Sequence, residues 1–114
     1  MTDINDTEAD TTQLGAIDKV EILKALSHPK RVEFLEWMRR PEDHFCSQAH
    51  PLDMGICANQ FEKCCELSQS TVSQHLSVLE KAGLVSLKRV GQWSFYQRNE
   101  ARIAAFIEDL RKTL

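Results

Sequence analysis

The residues whose types and spacing carry chemistry lie between Ser68 and His75. Ser70, Thr71, Ser73, Gln74 and His75 crowd the start of a segment in which the apolar residues Val72, Leu76 and Leu79 recur at helical spacing. Short hydroxyl and amide side chains hydrogen-bond base edges and phosphate oxygens and are small enough to enter a major groove. Ser68 can cap the helix start, Gln69 stands directly after it, and Gly83 is placed to end the helix in a left-handed conformation. The spacing thus predicts a helix over residues 69 to 82 with its apolar side turned inward and Gln69, Ser70, Thr71, Ser73, Gln74 and His75 available to a nucleic acid.

The four cysteines and four histidines form a second set of reactive groups. His44, Cys46 and His50 fall in the stretch 41–55, and Cys57 follows just after it. Thiolate and imidazole suit zinc or a similar ion, but the stretch has no Cys-x-x-Cys and no His-x-x-x-His couple of the kind that preorganised sites use. No metal site and no cofactor are assigned on this pattern. A thiol switch is a further option, in which Cys46 and Cys57 join under oxidant or polysulfide and distort the helix leading into the polar one. Cys64 and Cys65 are vicinal thiols of the kind that capture trivalent arsenic, although a free cysteine also packs as a small hydrophobe. Ser73 and His75 do not make a hydrolytic centre, since both lie on one exposed helix with no oxyanion loop, and the chain is not expected to be an enzyme.

The elements that must position the polar helix can be read on either side of it. Val85-Ser86-Leu87-Lys88-Arg89 alternates, Val90-Gly91-Gln92 can turn, and Trp93-Ser94-Phe95-Tyr96 returns, which predicts a hairpin with Lys88, Arg89 and Gln92 at or beside its tip. Cations on a ribbon tip can follow phosphates or enter a minor groove. Upstream, Leu14, Ile17, Leu23 and Leu26 predict an amphipathic helix from Gln13, and a second helix starts around Ser27 or His28, with Pro29 in its first turn, and ends before Pro41. Asn99 can cap a last helix in which Ile103, Phe106, Ile107, Leu110 and Leu114 form a stripe. The expected class is mainly α with a small β-hairpin, in the order α-α-α-α-β-β-α, a winged helix-turn-helix over 13–114 with 41–55 as an inserted loop and 1–12 as an acidic tail.

Length and charge bound the reading. A chain of 114 residues suits one domain with one core. It has no apolar run long enough for a membrane span and an acidic rather than basic N-terminus, so a soluble cytoplasmic protein is expected, in whose reducing surroundings cysteines remain thiols. The net charge of −3 is low for a nucleic-acid binder. Its distribution answers the objection: residues 67–98 hold Lys81, Lys88, Arg89 and Arg98 against Glu80 alone, while residues 1–18 hold five acids and no Lys or Arg.

The run Ala25-Leu26-Ser27-His28-Pro29-Lys30-Arg31, followed by Ser68-Gln69-Ser70-Thr71-Val72-Ser73-Gln74-His75-Leu76 and by Lys88-Arg89-Val90-Gly91-Gln92-Trp93-Ser94-Phe95-Tyr96, resembles the ArsR/SmtB family of bacterial winged-helix repressors over roughly residues 17 to 112. The resemblance implies a homodimer on double-stranded operator DNA, released by a small-molecule, metal or oxidant signal. It also implies that the terminal helices pair with each other and with a second copy, through Leu14, Ile17, Ile103, Phe106, Ile107 and Leu110. Metal-sensing relatives carry Cys-x-Cys before the recognition helix, whereas here Cys57 is followed by Asn59 at the second position. Sulfur-sensing relatives use a cysteine in the last helix, and this sequence has none after Cys65. Cys65 falls where the family usually has a buried aliphatic residue. The 41–55 stretch is longer than the family's usual connection. A protein-docking winged helix is the alternative class, but it would present aliphatic or aromatic anchors where this face is polar.

Overall fold

The computed structural model describes residues 18–45, 48 and 51–114, so Leu14, Ile17, Cys46, His50 and the acidic tail lie outside the described residues. Capping side chains set where four of the described helices begin. Asp18 accepts from the Glu21 N–H at 3.1 Å and starts α1, Lys19–Leu26. Of the helix expected from Gln13, the part from Lys19 is described, and residues 13–17 lie outside the described residues. His28 Nδ1 accepts from the Lys30 N–H at 3.1 Å, and Pro29 occupies the first position of α2, Pro29–Arg39.

Residues 41–55 contain more regular structure than the expected loop. Pro41–His44 makes a short helix, α3, and Leu52–Met54 a single 3₁₀ turn. Phe45 tethers one end, buried against Phe61 at 5.0 Å and Trp37 at 6.0 Å between ring centroids. At the other end the Gln48 amide donates to the Gly55 carbonyl at 3.0 Å and accepts from the Cys57 N–H at 3.0 Å. Gly55 has φ 109°, and a Cβ there would lie 2.9 Å from the Tyr96 carbonyl oxygen, so only glycine lets the segment approach the sheet this closely.

That approach adds a strand to the expected hairpin. β1, Ile56–Cys57, pairs antiparallel with β3, Trp93–Arg98, which also pairs with β2, Val85–Val90, giving the order β1-β3-β2. Between β1 and β2 come α4, Ala58–Cys64, and α5, Gln69–Lys81. The expected stop of α5 takes the form of a Schellman turn: Leu84 N–H donates to the Leu79 carbonyl at 3.0 Å, Gly83 N–H to Glu80 at 2.9 Å, and Gly83 has φ 82°. Asn99 Oδ1 accepts from the Arg102 N–H at 3.1 Å and caps the last helix, α6, Glu100–Thr113. No described helix is long and apolar enough to cross a membrane.

The core is aromatic at its centre. Phe34 of α2 and Phe61 of α4 are both fully buried with centroids 5.0 Å apart, and Tyr96 of β3 meets Phe61 edge-on at 6.3 Å. Val72, Leu76 and Leu79 of α5 close the cluster from one side and Ile22 and Ala25 of α1 from another. Phe106 belongs to this core at 5% exposure and is not free to contact a second subunit. Within α6, Ile103 and Leu110 are half-buried against the cluster, and Ile107, at 57% exposure, points outward. Phe61→Ala is expected to cost about 3–5 kcal/mol as a cavity. Gln48→Ala is expected to cost about 1–3 kcal/mol through three lost hydrogen bonds, to Pro51, Gly55 and Cys57, the last leaving its amide unpaired. Urea unfolding followed by circular dichroism measures both.

Candidate nucleic-acid interface

The turn Cys65-Glu66-Leu67-Ser68 sets α5 against α4. Cys65 is 7% exposed, its thiol donates to the Phe61 carbonyl at 2.9 Å, and it packs as the small core residue expected of it. Ser68 is the cap: its Oγ accepts from the Thr71 N–H at 3.2 Å, donates to Thr71 Oγ1 at 2.9 Å and lies 3.2 Å from Ser70 Oγ. The outward end of α5 therefore presents hydroxyls around unsatisfied backbone N–H groups, where the helix dipole favours phosphate.

Along α5 the two faces separate as the spacing predicts, with one exception. Gln69, Ser70, Ser73 and Gln74 are exposed and Thr71 is half-buried, opposite Val72, Leu76 and Leu79. His75 is the exception. It is 8% exposed, its Nδ1 lies 3.1 Å from Arg31 Nη1, and its ring lies 4.4 Å from that of His28. The position three after Val72 and four before Leu79 puts it on the inward stripe, so His75 does not belong to the reading face assigned to it. Burial holds its pKa below the ordinary histidine value of 6.5, and the charges of His28, Arg31 and Lys30 lower it further.

The wing stands beside this face. Val90 pairs with Trp93 across Gly91-Gln92, with Gly91 at φ 61° and no positive φ at Gln92, the pattern of a two-residue turn with glycine at its first central position. Lys88, Arg89 and Gln92 are all exposed. Alternation along β2 sends Arg89 to the same face of the ribbon as Leu87 and Tyr96, where its Nη1 donates to Ser94 Oγ at 3.3 Å, and Lys88 to the opposite face. Glu62 of α4 and Gln69, Ser73, Leu76, Arg89 and Ser94 are among the residues that line one groove of about 190 Å³ between α5 and the wing. Ser94 stands across from Arg89 because Val90 joins β2 and the turn contracts from the expected Val90-Gly91-Gln92 to Gly91-Gln92. Arg98 leaves the set of available cations: its Nε donates to Glu100 at 2.7 Å and its Nη1 to the Leu35 carbonyl at 3.1 Å. The same pairing holds the Glu100 carboxyl below the usual carboxylate range.

Of the insert's cysteines and histidines only His44 is among the described residues, so Cys46 of the expected Cys46–Cys57 pair and the His50 ligand lie outside them. Cys57 is buried at 4% exposure where β1 passes into α4, Cys64 donates to the His44 carbonyl at 3.0 Å, and His44 is exposed and stacks on Trp37. Among the described residues there is no group of three or more His, Cys, Asp or Glu able to hold a metal ion.

Residues 57–86, which hold α4, α5 and the start of the wing, match the family model described as bacterial regulatory protein, arsR family. The uncharacterized HTH-type transcriptional regulator YbzH of Bacillus subtilis is 34% identical over 98 residues, covering 83% of this chain and 97% of that protein. The chain belongs to the ArsR family. The putative arsenical resistance operon repressor ArsR2 of Halobacterium salinarum is 31% identical, over 81% of this chain and 70% of that protein. The structure of HlyU from Vibrio cholerae superposes with a TM-score of 0.55 at 27% identity, over 80% of this chain and 87% of the other. This ArsR-family chain is accordingly a DNA-binding transcriptional regulator with a winged helix-turn-helix, and not an enzyme.

Because Ser68 satisfies an otherwise unpaired N–H of α5, Ser68→Ala is expected to lower stability by about 1 kcal/mol. Thermal and urea unfolding of the two proteins measures the difference.

Proposed function

We propose that this chain is a homodimeric repressor that occupies an imperfect inverted repeat and leaves it in response to a signal. Each α5 would lie in a major groove, with Gln69, Ser70, Ser73 and Gln74 reaching base edges, Ser68 and Thr71 at phosphate, and Lys88, Arg89 and Gln92 anchoring the wing on the flanking backbone. The observation that carries this reading is the single exposed face on which Gln69 and Ser73 of α5 share a groove with Arg89 and Ser94 of the wing. A polar, cation-flanked face of this kind matches a groove of DNA better than the apolar anchor pocket of a docked protein.

Dimerisation is supported by apolar surface that one protomer leaves uncovered. Val20 and Leu23 of α1 are 60% and 45% exposed, and Ile107 and Leu114 at the other end of the chain are 57% and 95% exposed. Lys19 ties the two helices together, 3.2 Å from Asp109 and donating to Thr113 Oγ1 at 2.7 Å. Ile107, Ile103 and Leu110 would form the α6 part of the interface, and Phe106 would support it from within the core.

The direct test is binding of the purified protein to the intergenic DNA upstream of its own gene against a scrambled duplex, with and without zinc, arsenite or a mild oxidant. Selective binding that one additive abolishes supports repression and names the signal; equal binding to both duplexes contradicts the reading. Gln74→Ala is expected to weaken binding to the upstream site by about 1–3 kcal/mol while sparing scrambled DNA. Lys88→Ala is expected to weaken both alike and to reduce the salt slope by about 1. Ile107→Glu is expected to turn the dimer into a folded monomer in sedimentation and to abolish tight operator binding, because a charge would be buried against its own copy.

A further inference from the structure

His75 joins three elements through one guanidinium. Arg31 Nε donates to the Ala25 carbonyl at 2.7 Å and Nη2 reaches the Lys24 carbonyl at 3.5 Å, so α2 is fastened to the last turn of α1. The remaining nitrogen, Nη1, lies 3.1 Å from His75 Nδ1 on α5. A guanidinium has no acceptor, so Arg31 donates, Nδ1 accepts, and the imidazole must be neutral with its proton on Nε2. The His28 ring covers His75 at 4.4 Å and Phe34 meets it edge-on at 6.1 Å. His75 directly follows Gln74, so the helix turn that Arg31 holds through His75 also carries Gln74 on its exposed face.

We propose that His75 is a positioning residue for DNA reading: neutral, it locks α5 to α1 and α2 through Arg31, and acid opens the lock. This rests on the operator-binding function proposed above. Protonation would place an N–H on Nδ1 facing the Arg31 donor, removing the hydrogen bond and setting two cations side by side. The charged or titratable groups that act on His75, among the described residues, are His28, Arg31 and Lys30, all at the start of α2. From α1 the partners are the backbone carbonyls that hold Arg31, and from α2 the uncharged Phe34 ring closes the remaining side. Because burial first and these neighbouring groups second depress the folded-state pKa, the unfolded chain binds more protons over this range. The stabilising contribution is complete above the ordinary histidine value and is lost as pH falls through the folded one.

The test is the ratio of affinities for the upstream DNA and a scrambled duplex between pH 7.5 and pH 5 at fixed salt, for wild type, His75→Asn and His28→Asn. Asparagine at 75 offers Arg31 an amide oxygen near the Nδ1 position and does not titrate, and asparagine at 28 still caps α2. The wild-type ratio is expected to fall toward about tenfold per pH unit below the folded pKa. His28→Asn is expected to fall in parallel and His75→Asn to stay flat. A flat wild type, a slope retained in His75→Asn, or a slope lost only in His28→Asn would overturn the proposal. Loss of selectivity at pH 7.5 in the wild type counts against operator binding itself. In that case, or if His75→Asn does not fold, nitrogen NMR of the wild-type ring decides: the Nε2–H tautomer at pH 7.5 supports the lock and the Nδ1–H tautomer refutes it.

Discussion

Val72, Leu76 and Leu79 are withdrawn from water almost completely, and burial of each such side chain is worth about 1.5–3 kcal/mol. Together they set the rotation of α5 about its own axis, because turning the helix by one residue, about 100°, would move all three and in one direction bring Ser73, Ser77 and Glu80 into their places. With the inward stripe held, Gln69, Ser70, Ser73 and Gln74 are left facing solvent. The same stripe fixes the wing, since the Schellman turn at Gly83 carries the chain directly from Leu79 into β2. A DNA-facing surface therefore follows from a packing constraint on its opposite side.

Much of this was legible in the sequence. The apolar spacing over 72–79, the cap at Ser68, the glycine stop and the hairpin, though with its turn expected at Val90-Gly91-Gln92, are all local patterns, and local patterns survive folding when the core agrees with them. His75 departs from the exposed position expected of it although its signal is present: three after Val72 and four before Leu79, it extends the apolar stripe. For Phe106, the stripe shows which side of α6 is apolar without showing which of its residues the chain's own core reaches first. Arg98 looked like a free cation until Glu100, two residues on, paired with it. Arg31 could not have been found, because its partners are backbone carbonyls of α1 and an imidazole 44 residues away.

The stretch 41–55 illustrates a different limit. Composition marked it as a long loop, yet Phe45 enters the aromatic core and Gln48, Gly55 and Ile56 attach the far end to β3. Side-chain tethers of this kind have no periodicity and so leave no trace in a hydrophobic pattern. Their effect on the interface is indirect but physical: β1 covers the edge of β3 that β2 does not, leaving the wing as the outer ribbon of a three-stranded sheet. Its cations, Lys88 and Arg89, are then carried on a supported scaffold beside α5, which is how a chain of net charge −3 keeps a basic rim where phosphate would lie.

The measurement that tests the central claim most directly is selection of binding sites from a random DNA pool, with the stoichiometry of the winning complex determined by sedimentation. The account predicts an imperfect inverted repeat bound by two protomers, with half-sites about one helical turn apart. Enrichment of no sequence, or of a single unrepeated site bound by one protomer, would contradict it.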